Sequence, residues 1–285
     1  MVTVFAPAKI NLTLEVLGRR ADGYHEVRTV LQAIDLCDIL SFEPAEGIDL
    51  QCSSPGLDSA HNLVVKAAAL LQKVTGCRSG VSIKLAKLIP SASGLGGGSS
   101  DAAATFSGLN ELWGLGFSPQ KLARLAPQLS SDAAFFIYGG TALARGRGER
   151  IIRMPPFPDG WVVLLRPPLP EMQQKTEQLY ARLNACHFTR GQFSRRLSQQ
   201  LRRDPEIETS LFFNVFEMVA FDAFPGLGEY WQRFLAAGAS SVHLAGSGPT
   251  LFTLVGARAQ GEEIHRRLRL QGLETYLAHT LKAPI

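Results

Sequence analysis

Near the N-terminus apolar and polar positions alternate. Ala8, Ile10, Leu12, Leu14 and Val16 share one phase of a two-residue repeat, which predicts a β-strand with one buried face. Gly18 to Gly23 then predicts a turn, and Val27–Leu36 and Ile39–Phe42 predict two further strands. At Asn62 the period changes: an Ala-, Leu- and Val-rich run through Lys73 predicts a helix capped by Asn62 and ended near Gly76. Val81–Leu88 alternates again and stops at Pro90. After a glycine-rich loop, Ser99–Trp113 predicts a helix with Ala102, Ala103, Phe106 and Leu109 on one face. Ser118-Pro119 reads as a cap and first-turn proline of another helix. Gly139-Gly140 reads as a turn between two short apolar strands.

The stretch 154–160, Met-Pro-Pro-Phe-Pro-Asp-Gly, has the composition of a linker. Beyond it the pattern predicts a strand at Trp161–Arg166, then helices, then strands at Ser241–Ala245 and Thr250–Val255. A helix at Gln260–Leu270 and a strand at Glu274–Ala278 complete it. Strands near both ends with helices between them suggest a small α+β sandwich. Two domains are therefore expected, 1–154 and 155–285, with no internal repeat.

Composition narrows the picture. With 285 residues, 46% of them hydrophobic, the chain can bury a core without a disulfide or metal staple. Cys37, Cys52, Cys77 and Cys186 form no C-x-x-C and have no histidine at zinc spacing, so they read as reduced thiols. No apolar stretch approaches the roughly 20 residues of a membrane span, and the N-terminus lacks the order of a signal peptide. A cytoplasmic protein with no membrane partner is expected. The net charge of +4 lies in short arginine patches rather than a polybasic run, which fits phosphate-bearing ligands better than nucleic acid.

The segment Pro90-Ser91-Ala92-Ser93-Gly94-Leu95-Gly96-Gly97-Gly98-Ser99-Ser100 joins a predicted strand to a predicted helix. Its glycines allow close backbone approach, and the helix start offers free N–H groups to an anion. It is not a Walker A loop, because no lysine follows the glycines, and it does not fit G-x-G-x-x-G. A phosphate loop without lysine needs Mg²⁺ and a cation from elsewhere. Lys9 is a candidate cation, set between Ala8 and Ile10; the alternative is a lysine that snorkels to the surface. Asp132, at the head of an apolar segment, is either a turn aspartate or a carboxylate that orients a hydroxyl. No acidic residue stands out as a Mg²⁺ ligand, so phosphates, water and Ser99 or Ser100 are the expected ligands. Gly246-Ser247-Gly248-Pro249-Thr250 is either a hairpin turn or a backbone nest closing the same site.

Three segments resemble, in order, the GHMP kinase superfamily: Pro7-Ala8-Lys9-Ile10-Asn11-Leu12, Gly94 to Ser100, and Gly246 to Thr250. The run Arg20-Ala21-Asp22-Gly23-Tyr24-His25 is similar to the branch that acts on a cytidine diphosphate derivative of methylerythritol. The resemblance implies an α+β, two-domain GHMP kinase fold with its active site in the interdomain cleft. The N-terminal domain would be like ribosomal protein S5 domain 2, and the C-terminal domain ferredoxin-like. The implied reaction moves the γ-phosphate of ATP to the 2-hydroxyl of the methylerythritol moiety, in the non-mevalonate route to isoprenoids. Lys9 and Asp132 match the catalytic pair, and Pro90 to Ser100 the ATP-phosphate loop. Tyr24 and His25 match the cytosine site, Thr176 and Tyr180 suggest its second face, and Asn11, Gly246 and Ser247 are expected near the substrate. The implied cofactors are ATP and Mg²⁺, and the implied state is a monomer or weak homodimer that binds no nucleic acid. Homoserine or mevalonate kinase activity, or a non-catalytic nucleotide- or RNA-binding role, are the alternatives. Around the aspartate the chain reads Ser130-Ser131-Asp132-Ala133-Ala134 where the family has Gly-Ala/Ser-Asp-Val-Pro. Asn214-Val215-Phe216-Glu217 and Leu244-Ala245 are further departures.

Overall fold

In a computed structural model, which describes residues 1–203 and 209–284, the N-terminal alternation forms β1 (Val2–Arg19). It runs antiparallel to β2 (His25–Ala45) beyond the turn at 20–24. The two strands expected between Val27 and Phe42 are one. The register jumps from Ala8–Ile34 to Pro7–Cys37, so Asp35 and Leu36 form a bulge within a continuous strand. β3 (Ile48–Cys52) and β4 (Gly80–Ala86) are parallel and joined through α1 (Leu63–Thr75). As its sequence predicts, α1 starts where Asn62 accepts a hydrogen bond from the Val64 N–H and ends at Gly76.

After the glycine loop come α2 (Gly97–Leu112), which begins two residues earlier than expected, and α3 (Pro119–Leu125), capped by Ser118. The next segment is α4 (Ala133–Tyr138), not a strand. A short apolar run has no periodicity of its own, and here Phe135 and Phe136 pack into the helical layer. β5 (Thr141–Gly146) and β6 (Arg150–Arg153) follow. The length of β2 organises this sheet, since its C-terminal half pairs with β4 and its N-terminal half with β5.

The second half holds β7 (Trp161–Arg166), α5 (Lys175–Arg182), α6 (Gln192–Gln200) and β8 (Phe213–Asn214). It continues with α7 (Glu217–Ala223), α8 (Leu227–Ala236), β9 (His243–Leu244) and β10 (Leu251–Val255). α9 (Arg258–Leu270) and β11 (Glu274–His279) close the chain. Four of these strands form a second, antiparallel sheet in the order β11-β7-β10-β9. β8 instead crosses back and pairs in parallel with β1. The linker-like stretch packs rather than dangles: Phe157 is fully buried and its N–H donates to the Thr141 hydroxyl.

The two sheets share an apolar cluster in which Ala8, Ile10 and Leu12 of β1 meet Val162, Leu164 and Phe252. One expectation changes here. The alternation in β1 predicts one buried face, yet every residue from Ala6 to Val16 is buried. Lys9, Asn11, Thr13 and Glu15 are therefore polar groups inside the protein, and each needs a partner. Glu15 finds its own by accepting from the Phe193 and Ser194 N–H groups at the start of α6, while Thr13 bonds Ser194. Lys9 and Asn11 lead to the site.

Candidate active site

Lys9 is buried with its ammonium between three segments. It donates to Asn11 Oδ1 and to the Gly94 carbonyl, each at 2.8 Å, and stands 3.8 Å from Asp132 Oδ2. Asn11 is oriented in turn: its amide donates to Thr29 Oγ1, which donates to the Thr13 carbonyl. This leaves the Asn11 oxygen facing Lys9. Burial pushes the Lys9 ammonium below its ordinary value, against the pull of Asp132. Asp132 is half-exposed at the N-terminal end of α4 and makes no capping hydrogen bond, so its carboxylate is available to a ligand. The cap comes from Ser130, whose hydroxyl accepts from the Ala133 N–H and donates to Ser99 Oγ. Ser130 thus ties the start of α4 to the first turn of α2.

The glycine loop lies between β4 and α2, as predicted. The β1 backbone binds it directly, Lys9 N–H donating to the Leu95 carbonyl at 2.9 Å. Two contacts demand glycine. A Cβ on Gly94 would lie 2.0 Å from the Ala245 carbonyl, and one on Gly246 would lie 2.9 Å from Lys9 Nζ. The turn at Gly246 to Thr250 is thus both a hairpin connecting β9 to β10 and a wall of the site. Asn214 holds that wall by donating to the Leu244 and Gly246 carbonyls, and Glu217 accepts from the Leu244 N–H. The departing Asn-Val-Phe-Glu run keeps the two side chains that touch the turn. The first N–H groups of α2 have no partner within the helix and point their dipole at whatever the loop encloses.

The aromatic residues meet only in part as expected. His25 and Tyr180 stack on each other, with centroids 4.8 Å apart and an interplanar angle of 16°, so they do not flank a gap. Phe188 meets the His25 edge and Phe216 the Tyr180 ring. Burial and the nearby Asp132 push the Tyr180 phenol upward, while burial and Arg19 push His25 down, favouring its neutral form. Tyr24 is exposed and carries the Arg147 guanidinium 4.5 Å above its ring. Thr176 bonds Ser247 Oγ at 3.0 Å, joining α5 to the glycine turn.

Lys175, beside Thr176, escaped the sequence reading. It is half-buried and donates to the Ala92 carbonyl of the loop at 2.7 Å and to the Gly248 carbonyl of the turn. Burial and repulsion from Lys9 lower its ammonium to about 8. Lys87 was missed too; it lies below the loop between Asp38 and Asp101. A lysine beside a motif residue was the only signal for the first, and nothing local marks the second. Among the described residues no cluster of three or more His, Cys, Asp or Glu side chains could hold a metal ion, and no helix is long and apolar enough to cross a membrane. The Ser100 hydroxyl is buried with no protein partner, so a hydroxyl ligand is free at the helix start.

Residues 62–140 match the GHMP kinases N terminal domain, and residues 197–272 match GHMP kinases C terminal. The chain is 46% identical over 281 residues to 4-diphosphocytidyl-2-C-methyl-D-erythritol kinase of Dehalococcoides mccartyi, covering 99% of each chain. The fold resembles a crystal structure of 4-(cytidine 5'-diphospho)-2C-methyl-D-erythritol kinase, with a TM-score of 0.83 and 33% identity over 98% of this chain and 99% of that one. Homoserine kinase from Cytophaga hutchinsonii, at 18% identity and a TM-score of 0.78 over 99% of this chain and 95% of its own, shares the fold alone. The chain belongs to the GHMP kinases, and within them to the 4-diphosphocytidyl-2-C-methyl-D-erythritol kinases.

Proposed function

We propose that this chain transfers the γ-phosphate of ATP to the 2-hydroxyl of 4-diphosphocytidyl-2-C-methyl-D-erythritol, in the non-mevalonate route to isoprenoids. The observation that carries the reading is the Lys9–Asp132 pair, 3.8 Å apart beside the glycine loop. The Asp132 carboxylate accepts the substrate hydroxyl's proton as its oxygen bonds to the γ-phosphorus. The bond from that phosphorus to the bridging oxygen breaks, and ADP leaves. Lys9 keeps Asp132 ionised and faces the negative charge that develops on the transferred group. Residues Pro90 to Ser100 cradle the phosphates through backbone N–H groups. Ser99 and Ser100 would hold a Mg²⁺ together with the phosphates, and the ion would supply charge neutralisation there.

Tyr24, His25 and Tyr180 supply aromatic surface and a ring edge for cytosine, which suits a base read by stacking and hydrogen bonds. Thr176, Ser247, Gly246 and Asn11 line the way from those rings to Lys9. We place the domain division at 154/155 and read the protein as a cytoplasmic monomer or weak homodimer.

The test is turnover. Purified protein with Mg-ATP and the cytidyl substrate releases ADP, and neither mevalonate nor homoserine substitutes. No ADP above background with the cytidyl substrate sinks the reading.

A further inference from the structure

Among the described residues, two non-glycine positions have backbones in the left-handed region, Ala92 at φ 52° and Gln174 at φ 48°. A side chain with a Cβ adopts that conformation only against steric cost, so something must hold each of them. They lie far apart in sequence but at the two ends of one contact. Ala92 is in the phosphate loop, and its carbonyl accepts from Lys175 Nζ; Gln174 is the residue before Lys175, at the cap position of α5. The same ammonium also donates to the Gly248 carbonyl of the wall turn.

We infer that Lys175 is a positioning residue that clamps the phosphate loop against the glycine turn and holds the loop in its strained, nucleotide-binding shape. This rests on the reading of Pro90 to Ser100 as the ATP-phosphate loop. The geometry suits a clamp better than a stray surface lysine. Two carbonyls from different segments converge on one ammonium, and no carboxylate lies within ion-pair distance of it among the described residues. The charge is therefore unneutralised, and it stands close enough to Lys9 for the two to repel. A clamp of this kind also carries positive charge to the loop from the second half of the chain, where phosphate oxygens bring negative charge.

The charged groups around it make pH a readout. Lys9 of β1 bonds the same loop at the Gly94 carbonyl and stands 3.8 Å from Asp132 of α4. Arg166 at the end of β7 and Glu171 in the following segment line the same small cavity and pair with each other at 3.8 Å. Glu177 and Tyr180 lie on its own helix.

The experiment compares wild type, Lys175→Met and Lys175→Arg. Four outcomes support the clamp. Lys175→Met lowers kcat/KM for ATP about 100-fold, the loss typical of a misplaced reacting group, while KM for the cytidyl substrate stays within about twofold. Lys175→Arg recovers at least about tenfold of that loss, because a guanidinium can still donate to both carbonyls. The alkaline limb of kcat/KM for ATP moves to higher pH in Lys175→Met, since Lys9 no longer feels a neighbouring cation. Independently of turnover, amide hydrogen exchange over residues 91–96 rises in Lys175→Met without a matching rise in α1. Unchanged exchange in the loop overturns the clamp even if the enzyme is active, and so does an equal loss for both substrates. An arginine variant no better than methionine does the same. If wild type itself fails to turn over, the functional reading falls, and loop exchange with titration by Mg-ATP alone still decides the clamp.

Discussion

Two buried lysines flank the glycine loop, and their surroundings are opposites. Lys9 rests on two neutral oxygens, with one carboxylate 3.8 Å away and open to solvent. Lys87 touches two buried carboxylates, Asp38 and Asp101, the second at 2.7 Å. Burial pulls both ammonium groups down. In Lys9 that pull wins, whereas in Lys87 Asp101 and Asp38 outweigh it and the group ends above its ordinary value. Asp38 also accepts from the Leu88 and Ile89 N–H groups, so its network fastens β2 to the segment that leads into the loop. A cation whose charge is spent on two partners is a structural fastener. One with an incomplete set of partners keeps charge to offer a ligand, and it sits beside Asp132 and the glycine loop.

Changes on each side should break this contrast in different currencies. On the Lys9 side the largest effect is catalytic: Asp132→Asn lowers kcat about 10³-fold, the range of general-base loss, and leaves ATP affinity and the melting temperature nearly unchanged. A near-normal rate removes Asp132 from the chemistry. On the Lys87 side the effect is on folding. Lys87→Met strands two buried carboxylates and costs about 3–5 kcal/mol in denaturant unfolding, whereas Lys9→Met abolishes activity with far less loss of stability. Comparable destabilisation by the two would erase the distinction.

The acid network also sets a pH dependence. Burial raises the Asp101 carboxyl to about 7, with Asp38 adding to the rise and Lys87 opposing it. A raised folded-state value favours the protonated form. Its stabilising contribution is full below the unfolded value near ~4 and is lost as pH climbs through about 7. Asp101→Asn should therefore gain on wild type in melting temperature between pH 5 and pH 8. A gap that shrinks with rising pH would contradict the network as described.

The smallest effect is expected at the exposed ring of Tyr24. Tyr24→Ala raises KM for the cytidyl substrate about tenfold, the worth of one stacking ring, and spares KM for ATP. Equal losses for the two substrates would detach Tyr24 from base recognition.

Much of this was legible in the residues. Asn62 and Gly76 announced both ends of α1, and Ser118-Pro119 announced α3, because caps act through bonds to their own neighbours. The Ala133–Tyr138 run was not legible as a helix, since six apolar residues carry no period and packing chose for them. Lys9, Asp132 and the glycine loop could be named from motifs. Lys175 could not, because its role depends on two carbonyls more than 70 residues away in sequence.

By itself the sequence determined the local elements and the types of group available: a strand with alternating polar residues, a glycine loop entering a helix, a lysine and an aspartate. Only the tertiary structure decided that the polar side of β1 is also buried, and so which of its groups act. The second sheet covers the apolar side of β1, while the glycine loop and α6 cover its polar side, so water is removed from both. Once water is gone, each polar side chain must find a protein partner or remain short of one, and that outcome is set by long-range contact. Glu15 found the start of α6 and Lys87 found two aspartates, whereas Lys9 found only two neutral oxygens and a distant carboxylate.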